Sequence, residues 1–411
     1  MAVRNWAAFF FVSAASARAT RVTPHVVKCP PYNGVTARRR STDPRERDVT
    51  QVSRLQVEMA IKGYNDPYLN LDLVAANAVK QITVDGATVT VQIELGYPAA
   101  GFRDALATVL RERIEALDGV SRANIAIRSA VVSHSVQQGV KPLPNIKNII
   151  AVGSGKGGVG KSTVAVNLAL ALQAEGATVG ILDADIYGPS QPHMLGIHAR
   201  PESRDGKSME PLVNHGIQSM SIGYLIDEET PMIWRGPMVT QALEQLLKET
   251  KWRDLDYLVV DLPPGTGDTQ LTLAQKIPVS GAVIVTTPQD IALIDARKAL
   301  KMFEKVSVPV LGVVENMSTH ICSACGHEEH IFGSGGGQQM AAQYNVSFLG
   351  ALPLDITIRE NSDNGHPSVI ADPDGAIAGI YRDIARKVAA RLSLQGKDYT
   401  AKFPNIVIQN T

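Results

Sequence analysis

Hydrophobic and polar positions divide the chain into two regions with different periods. Apolar and polar residues alternate over 89–95, as in a strand with one buried face, and Asp85-Gly86 predicts the tight turn before it. Apolar residues recur at helical spacing over 102–117, and a second alternating strand is predicted over 123–127. With a further helix near the start, the region 51–136 is predicted to be a small α+β domain.

Beyond a linker predicted at 137–147, continuous apolar runs alternate with helices as far as residue 395. Such runs predict strands buried on both faces, so 148–395 is predicted to be an α/β domain with a doubly wound, mostly parallel sheet. Ligands of such sheets lie beyond the carboxyl ends of the strands. The predicted strands are Ile149–Gly153, Thr178–Asp183, Tyr257–Leu262, Ala282–Thr286, Val310–Glu315 and Phe348–Leu352.

A glycine-rich segment, GSGKGGVGKST, follows the first of these strands and precedes an apolar-periodic helix. This order of strand, glycine loop and helix is the one that a phosphate-binding P-loop requires. Lys161 is predicted to meet the terminal phosphates of ATP and Ser162 the Mg²⁺ ion. A second lysine, Lys156, suggests a phosphate on a neighbouring subunit. The predicted nucleotide-binding residues are Gly153, Ser154, Gly155, Lys156, Gly157, Gly158, Val159, Gly160, Lys161, Ser162 and Thr163.

Two predicted strands end in carboxylates. Asp261 ends one of them and is predicted to hold Mg²⁺ as the Walker B residue, directly or through water. Asp183 and Asp185 follow another, and Asp185 is predicted to orient the attacking water. Taken without the P-loop, Asp261 and Asp185 would each fit equally well as a helix N-cap.

Three cysteines occur in the chain, and Cys322 and Cys325 form a C-x-x-C pair. So sparse a set argues against a disulfide framework and for a metal or redox site. Two thiolates are half of a four-cysteine set, which a two-fold axis would complete around an iron–sulfur cluster. Alternatively, His327 and His330 would complete a zinc knuckle within one chain. A redox disulfide is the third interpretation, and Cys29 is expected to have no role.

Composition narrows the possible classes of function further. Among 411 residues, 40 basic side chains balance 40 acidic ones, which gives no support to nucleic-acid binding. No apolar run reaches the roughly 20 residues that a membrane helix needs, and a polar tail is predicted over 396–411. The segment 1–50 is rich in arginine and alanine, which fits either a transit peptide or a disordered extension.

The motifs together resemble the Mrp/ApbC family of iron–sulfur cluster carrier ATPases, over about 148–395. The small domain resembles the iron–sulfur-assembly domain fused to bacterial members, but 97–102 lacks the cysteine that many relatives carry. The motifs are the lysine-doubled P-loop, Asp183-Ala184-Asp185-Ile186-Tyr187-Gly188-Pro189-Ser190, Trp234-Arg235-Gly236-Pro237-Met238, Asp261-Leu262-Pro263-Pro264-Gly265-Thr266-Gly267-Asp268 and Cys322-Ser323-Ala324-Cys325-Gly326.

The resemblance implies a homodimer that binds ATP and Mg²⁺ and hydrolyses ATP slowly. It further implies that Lys156 crosses to the partner's phosphates, that Asn316 recognises adenine, and that Cys322 and Cys325 of both subunits bind one [4Fe-4S] cluster. Cluster donors and apo iron–sulfur proteins are the implied partners, without nucleic acid or membrane. The cytoplasm is the expected location, or a mitochondrion or plastid if 1–50 is a transit peptide. A MinD-like positioning ATPase with a structural zinc knuckle is the alternative.

Overall fold

The computed structural model describes residues 52–137, 139–226, 236–322 and 324–397, all within one compact unit. The extension 1–50 with Cys29, the motif residues Trp234 and Arg235, and the tail beyond Lys397 lie outside the described residues.

The small domain has the order of elements that the pattern predicts. β3 and β4 form the antiparallel hairpin, and β5 pairs parallel to β4 after the crossover through α2. A capping box between Ser53 and Gln56 begins α1. The elements are α1 (Arg54–Lys62), β1 (Asn65–Asp66), β2 (Leu71–Asp72), β3 (Val79–Asp85), β4 (Thr88–Leu95), α2 (Arg103–Glu115) and β5 (Arg122–Ser129).

The larger domain contains the remaining elements. They are β6 (Ile146–Ser154), α3 (Lys161–Ala174), β7 (Val179–Asp183), α4 (Gln191–Met194), β8 (Leu212–Asn214), β9 (Ile217–Ser221), α5 (Gly236–Glu249), β10 (Leu255–Asp261), α6 (Asp268–Lys276), β11 (Gly281–Thr286), α7 (Asp290–Lys305), β12 (Val310–Glu315), β13 (His320–Ile321), β14 (Glu328–Glu329), α8 (Gly336–Gln343), β15 (Phe348–Ala351), α9 (Ile356–Asp363), α10 (Ser368–Ala371) and α11 (Ala376–Ser393).

Eight of these strands form one sheet in the order β15-β12-β11-β6-β10-β7-β9-β8. All neighbouring strands pair in parallel except β8 and β9. Helices cover both faces of the sheet. On one face α3 packs against α11, and on the other α5, α6, α7 and α8 pack in a row, each against the next. The predicted doubly wound α/β fold is therefore confirmed. The strand that precedes the P-loop, β6, lies in the middle of the sheet, where nearly every residue is buried.

The pattern of apolar residues missed β8 and β9, which extend the sheet at one edge. β9 is buried along its whole length although three of its five residues are polar. The hydroxyl groups of Ser219 and Tyr224 lie 2.7 Å apart, and Gln218 donates to the carbonyl oxygen of Arg253 at 3.0 Å. These hydrogen bonds offset the cost of burying polar groups, so a strand forms without an apolar signature.

The small domain packs against the end of α3 and the middle of α11 through a buried carboxylate. Glu175, just after α3, accepts hydrogen bonds from Arg382 at 2.7 Å, from Arg386 at 2.6 Å and from the Gly101 N–H at 2.9 Å. Arg386 also donates to the Tyr68 hydroxyl of the small domain at 3.0 Å. This cluster of Glu175, Arg382 and Arg386, called here the docking cluster, joins the small domain to the helix that begins at the P-loop.

The segment predicted as a linker is held against the larger domain. The Gln137 amide donates to the carbonyl oxygens of Ala274 and Ile277 at 2.6 and 2.9 Å and accepts from the Val279 N–H at 2.9 Å. β6 begins at Ile146, two residues before the predicted start of the domain. The domain boundaries themselves stay a prediction.

Candidate functional site

The P-loop lies at the carboxyl end of β6, as predicted. Gly158 and Gly160 have φ of +79° and +81°, a left-handed conformation that other residues adopt only with strain. Gly155 is required for a different reason: a Cβ there would lie 2.1 Å from the carbonyl carbon of Asp295 in α7. The loop therefore curls tightly against α7 and leads directly into the N-terminus of α3, where backbone N–H groups favour anions.

Lys161 and Asp261 meet at this end of the sheet. The Lys161 ammonium forms a buried ion pair with Asp261 Oδ1 and donates to the Ser162 hydroxyl at 3.2 Å. Asp261 is fully buried at the end of β10, next to β6. The structure thus brings together the three side chains that the sequence predicts for the terminal phosphate and Mg²⁺. Their roles stay predictions.

A buried glutamine, which the sequence analysis missed, joins the same group. Gln191 donates from Nε2 to Asp261 Oδ2 at 2.9 Å and to the Ser162 carbonyl oxygen at 3.1 Å. Its own N–H donates to Asp183 Oδ2 at 3.0 Å. The sequence offers one weak sign of this position, a polar residue directly before Pro192 at the start of a helix.

Asp183 ends β7 and Asp185 lies on the loop between β7 and α4, and their environments differ. Burial and the nearby Asp261 charge raise the pKa of Asp183 to about 7, although it accepts N–H groups from Asp185, Ser190 and Gln191. Burial also raises the pKa of Asp185, and the positive charge of Lys161 opposes this. Asp183 therefore anchors the loop, and the half-buried Asp185 also accepts hydrogen bonds from the backbone of Tyr187 and Gly188.

Lys156 lies within the P-loop, and Asn316 lies against it. The side chain of Lys156 is partly exposed and forms no ion pair with any residue that the structure describes. Asn316 follows β12 and donates from Nδ2 to the Val159 carbonyl oxygen at 2.9 Å, so it braces the loop. These observations do not test whether Lys156 acts across a dimer or whether Asn316 recognises adenine, so both roles stay predictions.

The cysteine pair lies on the short hairpin formed by β13 and β14. The Cys322 N–H donates to the His327 carbonyl oxygen at 2.9 Å, and the Gly326 N–H donates to the Cys322 carbonyl oxygen at 2.8 Å. Gly326 has a φ of +71°, in the left-handed region. The turn is therefore tight, with Cys322 partly exposed and Cys325 exposed, both as free thiols.

Hydrogen bonds from Ala324 N–H, Cys325 N–H and the Cys325 thiol lower the pKa of Cys322. Donors aimed at a sulfur favour the thiolate, which is the form that binds metals and iron–sulfur clusters. His330 Nδ1, by contrast, lies 2.9 Å from the Ser318 carbonyl oxygen. Among the described residues, no group of three or more His, Cys, Asp or Glu side chains is arranged to hold a metal ion, so the zinc knuckle gains no support.

The hairpin follows β12, whose carboxyl end lies beside the P-loop. Asn316 contacts the P-loop, Ser318 is held to Leu352 at the end of β15, and Cys322 comes six residues after Asn316. A chain of that length spans at most about 20 Å. The cysteine hairpin and the P-loop therefore lie at the same end of the sheet.

Comparison with known proteins identifies the family. The model of the NUBPL iron-transfer P-loop NTPases matches residues 145–389, and that of the iron-sulfur cluster assembly proteins matches 54–127. The chain belongs to the iron-transfer P-loop NTPase family. The resemblance to cluster carrier ATPases that the motifs indicated is thus confirmed. The chain therefore belongs with the P-loop proteins that hydrolyse nucleotides. The family match does not favour the alternative of a MinD-like positioning ATPase.

Individual relatives agree with this assignment. The chain is 61% identical over 279 residues to the iron-sulfur cluster carrier protein of Pseudomonas fragi, covering 67% of this chain and 97% of that protein. It is 49% identical over 350 residues to the iron-sulfur cluster carrier protein of Haemophilus influenzae, covering 85% of this chain and 95% of that protein. Among solved structures, the nucleotide-binding protein of Archaeoglobus fulgidus in complex with ADP has a TM-score of 0.50 and 38% identity, covering 56% of this chain and 90% of that one.

One further finding concerns membranes. Within 52–137, 139–226, 236–322 and 324–397, no helix is both long and apolar enough to cross a bilayer.

Proposed function

We propose that this chain is an ATP-hydrolysing iron–sulfur cluster carrier. Two copies bind one [4Fe-4S] cluster through Cys322 and Cys325 of each and pass it to apo-proteins that receive it. The observation that carries the proposal is a pair of free thiols, Cys322 partly exposed with a lowered pKa and Cys325 exposed, on a hairpin that begins shortly after Asn316, the residue that contacts the P-loop.

In the nucleotide half of the site, Lys161 exchanges Asp261 for the terminal phosphates of ATP. The Ser162 hydroxyl and the Asp261 carboxylate then remain as oxygen ligands, the donors that Mg²⁺ prefers. Their closeness around one buried ammonium fits a site for a cation of that kind. When bound, Mg²⁺ neutralises phosphate charge. Asp185 orients the attacking water, and Lys156 meets the phosphates of the partner subunit.

In the cluster half, the cluster is cargo. The pair Cys322 and Cys325 offers two thiolates per chain, so a two-fold axis supplies the four that a [4Fe-4S] cluster takes. Exposed isoleucines support a second copy at this face: Ile321 on the hairpin is 57% exposed, Ile331 after it 53%, and Ile291 at the start of α7 69%. Such apolar exposure near a functional site is typical of an interface.

Hydrolysis serves a conformational change in this proposal, and a carrier has no need of rapid turnover. We expect a rate well under the typical enzyme value of about 10 s⁻¹. The bacterial origin of the relatives named above is in line with a cytoplasmic location, which stays a prediction.

Anaerobic reconstitution with iron and sulfide tests the cluster half. We expect about four irons per dimer and absorption near about 400 nm from thiolate-to-iron charge transfer. Cys322→Ser and Cys325→Ser should each abolish both signals and leave ATP binding intact. His327→Ala is the matched control and should retain the cluster. A colourless protein with one zinc per chain, lost in His327→Ala or His330→Ala, would refute the proposal.

A further inference from the structure

Gln191 occupies a central place in the nucleotide site, although no motif gives it a role. It is the first residue of α4 and is fully buried. Through three hydrogen bonds it joins the ends of three elements: Ser162 in α3, Asp183 in β7 and Asp261 in β10. The Gln191 side chain therefore connects the P-loop helix to the Walker B strand, and its backbone N–H ties the same residue to the end of β7.

The orientation of the Gln191 amide follows from its partners. The Asp261 carboxylate and the Ser162 carbonyl oxygen only accept hydrogen bonds, so the nitrogen must face them. Oε1 points elsewhere and receives no hydrogen bond from any described residue, although it is buried. A buried acceptor without a protein donor costs about 1 to 3 kcal/mol.

The hydrogen bond to Asp261 restrains that carboxylate. Oδ1 faces the Lys161 ammonium and Oδ2 faces the Gln191 amide, so the carboxylate plane is held from both sides. When Lys161 turns to a phosphate, the amide is the contact that keeps Asp261 in place. The same amide holds the Ser162 backbone, and thereby the direction of its hydroxyl.

We propose that Gln191 is a positioning residue for the Mg²⁺–nucleotide complex: its amide keeps Asp261 and Ser162 oriented so that their oxygens accept the ion. The inference rests on the proposed nucleotide function and concerns its metal dependence. Groups that hold metal ligands in place typically contribute 10- to 100-fold to metal affinity. Loss of the amide should therefore weaken binding of nucleotide with Mg²⁺ and spare binding of nucleotide alone.

The test measures the dissociation constant of a fluorescent ADP analogue in Mg²⁺ and in EDTA, using the full chain. Gln191→Met keeps the length and removes the donor, and Gln191→Asn keeps the amide but is too short to reach. We expect the dissociation constant in EDTA divided by that in Mg²⁺ to fall about tenfold or more in both variants, with the value in EDTA within about twofold of wild type.

Gln218→Met is the matched control, because Gln218 also makes two hydrogen bonds, with the backbone of Arg253, at the edge of the sheet. It should leave the ratio unchanged. An unchanged ratio in both Gln191 variants, or an equal loss of ADP-analogue affinity in Mg²⁺ and in EDTA, would overturn the inference. Thermal unfolding checks that each variant is folded. Wild-type protein whose ADP binding ignores Mg²⁺ would instead overturn the proposed nucleotide function.

Discussion

Replacing Glu175 by glutamine tests how the small domain is held to the ATPase domain. The side chain keeps its size and can still accept the Gly101 N–H, but it loses the charge that faces Arg382 and Arg386. Glu175 is 2% exposed, and the side chains of the two arginines are 25% and 13% exposed. The variant therefore isolates the charge of a buried ion-pair cluster.

The expected cost follows from this burial. Removing one partner of a buried ion pair costs about 3 to 5 kcal/mol, because the other charge remains out of water. Since the arginines are not completely buried, we expect the lower end, about 3 kcal/mol. Glu304→Gln is the control: Glu304 pairs with Lys301 at 2.7 Å, but both are exposed, so the cost should be under about 1 kcal/mol.

The dependence on pH gives the experiment its second readout. Burial alone would raise the pKa of Glu175, but hydrogen bonds from Arg386, Arg382 and the Gly101 N–H lower it overall. A carboxyl whose folded pKa is lowered stabilises the protein above its unfolded pKa, near 4.5, and loses this contribution as pH falls through the folded value. The difference between wild type and Glu175→Gln should therefore be full at pH 7 and shrink below about pH 4.5.

Calorimetric unfolding of both variants from pH 7 to pH 3.5 measures these differences. We expect Glu175→Gln to lower the unfolding temperature at pH 7, or to separate one transition into two as the small domain loosens. Equal unfolding temperatures for Glu175→Gln and Glu304→Gln at pH 7 would refute the reasoning. So would a difference that stays constant down to pH 3.5.

The remaining predictions concern the two sites. Lys161→Ala should weaken ATP binding itself, while Lys156→Ala should keep binding and lower turnover, as measured by nucleotide titration and phosphate release; equal loss of binding in both would contradict a role of Lys156 across the dimer. Cluster transfer to an apo-acceptor, followed by absorption, should differ between nucleotide-free and Mg-ATP-bound protein by about 5- to 150-fold, the range for a coupling of about 1 to 3 kcal/mol. Lys161→Ala should accept a cluster and lose this difference, whereas identical rates in every condition would place the ATPase step elsewhere.

Local patterns in the sequence were enough for the elements and for most of the candidate site. A strand followed by GSGKGGVGKST and an apolar helix predicted the P-loop without any knowledge of its neighbours, because left-handed glycines and a helix N-terminus are properties of the segment itself. Six apolar runs predicted six strands to within a few residues; five of them are largely buried, whereas β15 lies at the edge of the sheet and only one of its four residues is buried. β9 escaped because its buried polar side chains are satisfied by partners outside the strand.

Contacts between distant residues were decided by the tertiary structure alone. Lys161 and Asp261 are 100 residues apart in the chain, Gln191 and Asp261 are 70 apart, and Glu175 and Arg386 are 211 apart. Periodicity shows that a strand is buried but not which strand lies beside it, since strand order is set by how the whole chain packs. The sequence indicated most of the residues that are proposed to carry the chemistry, and the order of strands in the sheet determined which of them meet.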